Sequence, residues 1–169
     1  KLSDGKGVNV AMDAFEAAVI DTGETTIFAR SGGSGPPVLL QHGFPETHLM
    51  WRDIAPVLAR SFTVVSADLR GYGRSGCPVS SDDHAPYAKR AMARDMVTVM
   101  ERLGFARFSL AGHDRGGRVA YRLALDHPDR VDRLAVLDIV PTKTVWQRAD
   151  ARFARAYWPW SVVALPAPM

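Results

Sequence analysis

Gly112-His113-Asp114-Arg115-Gly116 sets a carboxylate between two glycines. The pentapeptide stands between an apolar run, Phe108-Ser109-Leu110-Ala111, and a stretch of helical spacing from Gly117 to Leu125. This is the pattern Gly-x-nucleophile-x-Gly, a sharp strand-to-helix turn that lifts a reactive side chain above a parallel sheet. The small flanking residues answer a steric need, because strand and helix approach closely there. The middle residue is Asp, not Ser or Cys. A carboxylate is ill suited to ordinary ester hydrolysis. It is suited to displacement at an sp³ carbon, leaving an alkyl ester that water then cleaves. That chemistry opens a carbon–halogen bond or an epoxide. Read alone, the same residues serve as a Gly-flanked turn with Asp114 as a helix N-cap.

Three other groups of residues bear on the choice. His42-Gly43-Phe44-Pro45 follows the apolar Val38-Leu39-Leu40. In an architecture of this kind that loop gives one backbone N–H to an oxyanion hole, and the residue after the nucleophile gives the other. The candidates are the amides of Phe44 and Arg115; by itself the segment is a Gly-Pro turn. Asp138 closes the run Leu134 to Leu137, 24 residues past Asp114. Ligands meet a parallel sheet at its strand C-termini, and an acid there can orient a catalytic imidazole or simply cap a helix. Arg115 and Arg118 stand three apart, on one face of a helix. Two guanidinium groups beside a helix N-terminus would hold a substrate carboxylate; the plainer alternative is an Arg–Asp surface pair.

These residues need a scaffold, and the sequence spells one. Residues 16–30 read as two short strands around Asp21-Thr22-Gly23-Glu24, a hairpin signal. Val38 to Leu40 reads as a buried strand, 48–59 as a helix, Phe62 to Ala67 as a strand and Met92 to Leu103 as a helix. Gly71, Gly73, Gly76 and Pro78 mark a loop. After the elbow helix, closed by His127-Pro128, comes a further strand at Leu134–Leu137. A hairpin followed by alternating strands and helices implies an α/β fold, mostly parallel, with helices on both faces of the sheet. The leading segment 1–12 reads as a tag or upstream extension, 13–141 as the sheet domain, and 142–169, with three Trp, a Tyr and three Pro, as an inserted helical segment.

Composition excludes other classes. The 169 residues carry 21 Lys+Arg and 18 Asp+Glu, a net charge of +3, with 47% hydrophobic residues. That is a globular balance. The sequence pI is near 9.3, but the charges are dispersed, so a solvated mixed surface is expected and no nucleic-acid partner. No run is long and apolar enough for a membrane span, and no signal peptide is visible. The lone Cys77 forms no internal disulfide and points to a reducing, cytoplasmic setting. No metal-ligand spacing and no phosphate loop appear, so no cofactor and no metal are expected.

Together these segments resemble the α/β-hydrolase fold and, within it, the haloacetate (fluoroacetate) dehalogenases. The residues that carry the resemblance are His42-Gly43-Phe44-Pro45 with Trp51, Ala67-Asp68-Leu69-Arg70-Gly71-Tyr72-Gly73 and Gly112-His113-Asp114-Arg115-Gly116-Gly117-Arg118. Ala124-Leu125-Asp126-His127-Pro128, Ala135 through Thr142 and Ala154-Arg155-Ala156-Tyr157-Trp158 match as well. Related epoxide hydrolases and haloalkane dehalogenases typically carry Trp after the nucleophile, where this chain has Arg115.

The resemblance implies Asp114 as nucleophile, Asp138 as the acid of a triad, Phe44 at the oxyanion loop and Arg115 with Arg118 on the substrate carboxylate. It implies a helical cap in which Trp160 binds halide. Pro159 stands where the family's halide-binding His would be. Fluoride needs those donors most, so chloro- or bromoacetate is the expected substrate. Trp158 and Trp160 would otherwise be cap core. The family's water-activating histidine lies past the cap. Of His42, His48, His84, His113 and His127, none is expected to replace it, so the chain reads as the N-terminal fragment of a longer enzyme, prone to dimerise through an open sheet edge. The expected partners are a small 2-halo acid and water, with a homodimer in view. The alternatives are an epoxide hydrolase-like enzyme and a catalytically dead fragment or binding module.

Overall fold

The computed structural model describes residues 12–162. Most of the expected leading segment, and residues 163–169 of the expected cap, lie outside the described residues. Met12, assigned to that leading segment from sequence, is buried against the core beside Phe15.

Six strands form one sheet in the order β1-β2-β4-β3-β5-β6. β1 (Glu16–Asp21) and β2 (Thr26–Gly32) make the expected hairpin, with Asp21 opposite Thr26. Gly23 turns it at φ 90°, and its N–H donates to the Asp21 carboxylate at 2.8 Å. β2 runs antiparallel to β4 (Thr63–Ala67). β3 (Pro37–Gln41), β4, β5 (Phe108–His113) and β6 (Val131–Leu137) are parallel.

Strand periodicity divides the core in two. Leu39, Val65 and Ala67 pack with Met92, Met96, Met100, Val119 and Leu123. Val38, Leu40 and Val64 pack with Met12, Phe15, Trp51 and Ala55. Successive strand residues point to opposite faces, so the two clusters lie on the two sides of the sheet. Each fully buried Leu or Met contributes about 1.5–3 kcal/mol. A buried Arg70 ties the hairpin to α2 (Lys89–Arg102): it grips Asp95 through Nε and Nη2, both at 2.6 Å, and reaches Glu24 at 3.1 Å. Such a fork-to-carboxylate pair satisfies a charge that burial would otherwise penalise.

Two elements differ from the sequence expectation. The helix expected over 48–59 is broken into a 3-10 turn, His48–Trp51, and the single-turn α1, Ala55–Leu58. Pro56 has no N–H to donate to the preceding turn, so it fits only at the start of a new helix. The elbow helix, expected from Gly117, is α3, Asp114–Asp126. Its first turn contains two glycines, which carry no side chain to reveal the period.

The chain divides into two compact units, one ending at Ile139 and the other beginning at Val140. The second holds three short helices, α4 (Thr142–Arg148), α5 (Ala151–Ala156) and α6 (Trp158–Val162). Asp150 caps α5 by accepting from Phe153 N–H at 2.8 Å. Among the described residues no helix is long and apolar enough to cross a membrane.

Candidate active site

β5 delivers the elbow. His113 is its last residue, and the chain enters α3 through Asp114 at φ 43°, a left-handed conformation that non-glycine residues rarely adopt. Close packing forces that turn. A Cβ at Gly112 would meet the Gly116 carbonyl oxygen at 2.5 Å, and one at Gly116 would run into the carbonyl oxygen of Gln41 on β3. Only glycine lets β3, β5 and α3 come together here.

The Asp114 carboxylate is held at both oxygens. Oδ2 accepts the Phe44 N–H at 3.0 Å, and Oδ1 accepts Nη1–H of Arg118 at 2.7 Å. Burial would raise this carboxyl, but the Phe44 and Arg115 amides and the Arg118 guanidinium outweigh it and hold the group below its ordinary range. Asp114 is therefore ionised at neutral pH. Its side chain is 31% exposed, so a small molecule can reach it.

The fold brings two of the groups singled out from sequence to the Asp114 carboxylate: the Phe44 amide, across 70 residues of sequence, and the Arg115 amide. Of the two arrangements open from sequence for the arginines, Arg118 takes the Arg–Asp pair and Arg115 takes neither. Arg118 is 8% exposed and rests on Asp114 itself, four residues back along α3. A spacing of four faces the same side of a helix as well as a spacing of three does, and the nearer opposite charge takes the guanidinium. Arg115 instead lies over aromatic rings, its Cζ 5.6 Å from the Phe44 ring centroid and 5.8 Å from that of Tyr72. Its buried Nε has no hydrogen-bond partner among the described residues.

Lys89, at the start of α2, adds a third cation that the sequence reading missed. Burial pushes its ammonium down to about 8; Arg115 and Arg118 push the same way and Asp114 opposes them. No motif marks it, because it reaches the site only through the packing of α2 against α3. Glu46 was missed too. Its carboxylate accepts Gly43 N–H at 3.2 Å and stands 3.3 Å from His113 Nδ1. The only signal was its place three residues after Gly43 in a turn.

Asp138 follows β6 directly, at φ 52°. Its carboxylate is 89% exposed, and Oδ2 lies 3.8 Å from His113 Nε2. His113, taken from sequence as part of the turn, thus stands between two carboxylates. Trp160 belongs to the second unit. Its ring packs at 5.7 Å on Trp146 and 6.3 Å on Phe153, an aromatic cluster of the kind expected for packing. Among the described residues no group of three or more His, Cys, Asp or Glu could hold a metal ion.

Comparison with known proteins bears on this geometry. Residues 36–166 match the family model described as alpha/beta hydrolase fold. The chain is 54% identical over 156 residues to a fluoroacetate dehalogenase from Burkholderia sp, covering 92% of this chain and 51% of that protein. It is 42% identical over 111 residues to a soluble epoxide hydrolase from Corynebacterium sp. (strain C12), covering 66% and 37%. The solved structure of ALR0039 from Nostoc sp PCC 7120 superposes with a TM-score of 0.90 at 51% identity, over 92% of this chain and 54% of that one. An epoxide hydrolase from an endophytic Streptomyces superposes at 0.70 with 35% identity, over 74% and 37%. The chain spans about half the length, or less, of these relatives.

Proposed function

The chain belongs to the alpha/beta hydrolase fold family, and from that premise we propose that it carries the ester-forming half of a hydrolase that cleaves the carbon–halogen bond of a 2-haloacetate. The observation that carries this reading is the ionised Asp114 carboxylate, lifted at φ 43° between a backbone N–H and an arginine, with the Lys89 ammonium near enough to feel its charge. A nucleophile that must displace halide from carbon needs no proton removed, only a carboxylate kept charged and aimed.

In this reading the substrate carboxylate competes with Asp114 for Arg118, with Arg115 and Lys89 adding to the attraction. Drawing Arg118 away bares Oδ1. Oδ1 attacks the carbon bearing the halogen; the C–O bond forms, the C–X bond breaks, and halide leaves with the bonding pair. Water then adds to the ester carbonyl. The carbonyl oxygen takes up the negative charge against the Phe44 and Arg115 amides, and glycolate and Asp114 are released. Asp138 would orient the base that this second step requires.

A second reading is favoured by the epoxide hydrolase relatives: Asp114 opens a neutral epoxide. The cations about Asp114 have no partner on such a substrate. Incubation with chloroacetate and, separately, with styrene oxide, followed by peptide mapping, separates the two. A chloroacetate-derived ester on Asp114 is expected. An adduct on Asp114 from the epoxide alone would overturn the dehalogenase reading in favour of the second, and alkylation of the exposed Cys77 alone would overturn both.

A further inference from the structure

His42 is fully buried, and both of its ring nitrogens are committed. Nε2 accepts the Leu69 N–H at 2.9 Å, and Nδ1 lies 2.8 Å from the Gly43 carbonyl oxygen. An amide N–H only donates and a carbonyl oxygen only accepts. Nε2 therefore carries the lone pair and Nδ1 the proton. The partners fix one neutral tautomer, and the Tyr72 ring, edge-on at 5.1 Å, packs against the imidazole.

The carbonyl that His42 holds, which also accepts the Glu46 N–H at 3.0 Å, belongs to the same peptide unit as the Phe44 N–H. In a trans peptide the C=O and N–H point to opposite sides. Fixing the Gly43 carbonyl toward the imidazole therefore fixes the Phe44 N–H away from it, and that N–H is the one that meets Asp114 Oδ2 at 3.0 Å. The far side of the ring is anchored just beyond β4. Leu69, its partner there, follows the buried Asp68, whose Oδ1 accepts both His48 N–H at 2.6 Å and His48 Nδ1–H at 2.8 Å. Residues 42 and 48, the two ends of the loop that holds Phe44, are thus both tied to residues 68–69.

We propose that His42 is a positioning residue of this site: its neutral imidazole sets the Gly43–Phe44 peptide plane so that the Phe44 N–H bears on the Asp114 oxygen destined to be the ester carbonyl. The inference rests on Asp114 as the nucleophile for its consequence in catalysis, but the orientation of the peptide is a property of the chain itself.

Three variants divide the two ring contacts. His42→Asn keeps a donor at the Nδ1 position and loses the far acceptor. His42→Gln keeps an acceptor near Nε2 and loses the donor. His42→Phe keeps ring area and loses both. The rate of ester formation on Asp114 from chloroacetate is measured by mass spectrometry, alongside hydrogen exchange at the Phe44 amide and, as a fold control, at Leu110 in β5. His42→Gln and His42→Phe are expected to slow ester formation about 100-fold, the scale of misplacing a reacting group by about 1 Å, and to speed Phe44 exchange with Leu110 still protected. His42→Asn is expected to restore most of both. Equal loss in all three variants, or full activity in His42→Gln, would overturn the proposal.

If the wild-type chain forms no ester, the functional reading fails while Phe44 exchange still decides this one: protection unchanged across the variants overturns it. If Leu110 protection is lost in every variant, nitrogen-15 spectra of histidine in the wild-type chain decide. A protonated Nδ1 with a bare Nε2 on His42 supports the proposal, and the opposite tautomer overturns it.

Discussion

Two parallel strands of this sheet end in an aspartate at positive φ, and the two ends differ in almost everything else. Asp114, after β5, sits at φ 43° and Asp138, after β6, at φ 52°. β5 is paired on both sides, and Phe108, Leu110 and Gly112 along it are buried. Among the described residues β6 is paired on one side only, and Leu134, Val136 and Leu137 are each more than 40% exposed. The Asp114 carboxylate is held by a backbone N–H and a guanidinium; that of Asp138 is 89% exposed with His113 Nε2 at 3.8 Å. Among the described residues the proposed nucleophile is thus held on both oxygens, and the proposed triad acid is exposed.

The largest effect that would sharpen the comparison is loss of the proposed nucleophile: Asp114→Ala is expected to abolish ester formation from chloroacetate, read by intact mass. Next comes the packing beneath each end. Leu110→Ala in β5 is expected to cost about 2–5 kcal/mol by denaturant unfolding. Leu134→Ala in the exposed β6 is expected to stay within about 0.5 kcal/mol, and a comparable cost at both would break the contrast. Gly116→Ala, which drives a Cβ into the Gln41 carbonyl, is expected to cost about 1–3 kcal/mol. Arg118→Lys replaces a fork with a point charge and is expected to weaken 2-haloacetate binding about 10-fold, measured by the concentration dependence of ester formation. The smallest effect is in pH. Asp114 is held below 3.8, so its contribution to stability is complete above that unfolded value and is lost only as pH falls through the lower folded one. Ester formation should accordingly stay flat with respect to this group down to about pH 5, and a decline set by an Asp114 titration above that would contradict the hydrogen bonds described.

How much of this was legible in sequence depended on distance along the chain. Asp114 with its flanking glycines is a local pattern, and so is the Phe44 loop; both were readable because the turn needs those residue types whatever surrounds it. The order of strands followed from apolar runs with turn residues between them. His42, Asp68, Glu46 and Lys89 were not readable as site residues, since each gains its meaning from a partner on another element. Arg118 shows an intermediate case. Its face of the helix was evident, but two neighbours share that face, and only the fold shows that Asp114 has taken the guanidinium. The break at Pro56 was readable in principle and was masked by apolar residues at helical spacing on both sides of it.

The most direct test is a time course of the wild-type chain with chloroacetate, followed by tandem mass spectrometry that locates the adduct. Covalent ester accumulating on Asp114, and absent from Asp114→Ala, is the expected result. An unmodified Asp114 in a folded chain, with any adduct confined to Cys77, would contradict the assignment of this carboxylate as the nucleophile.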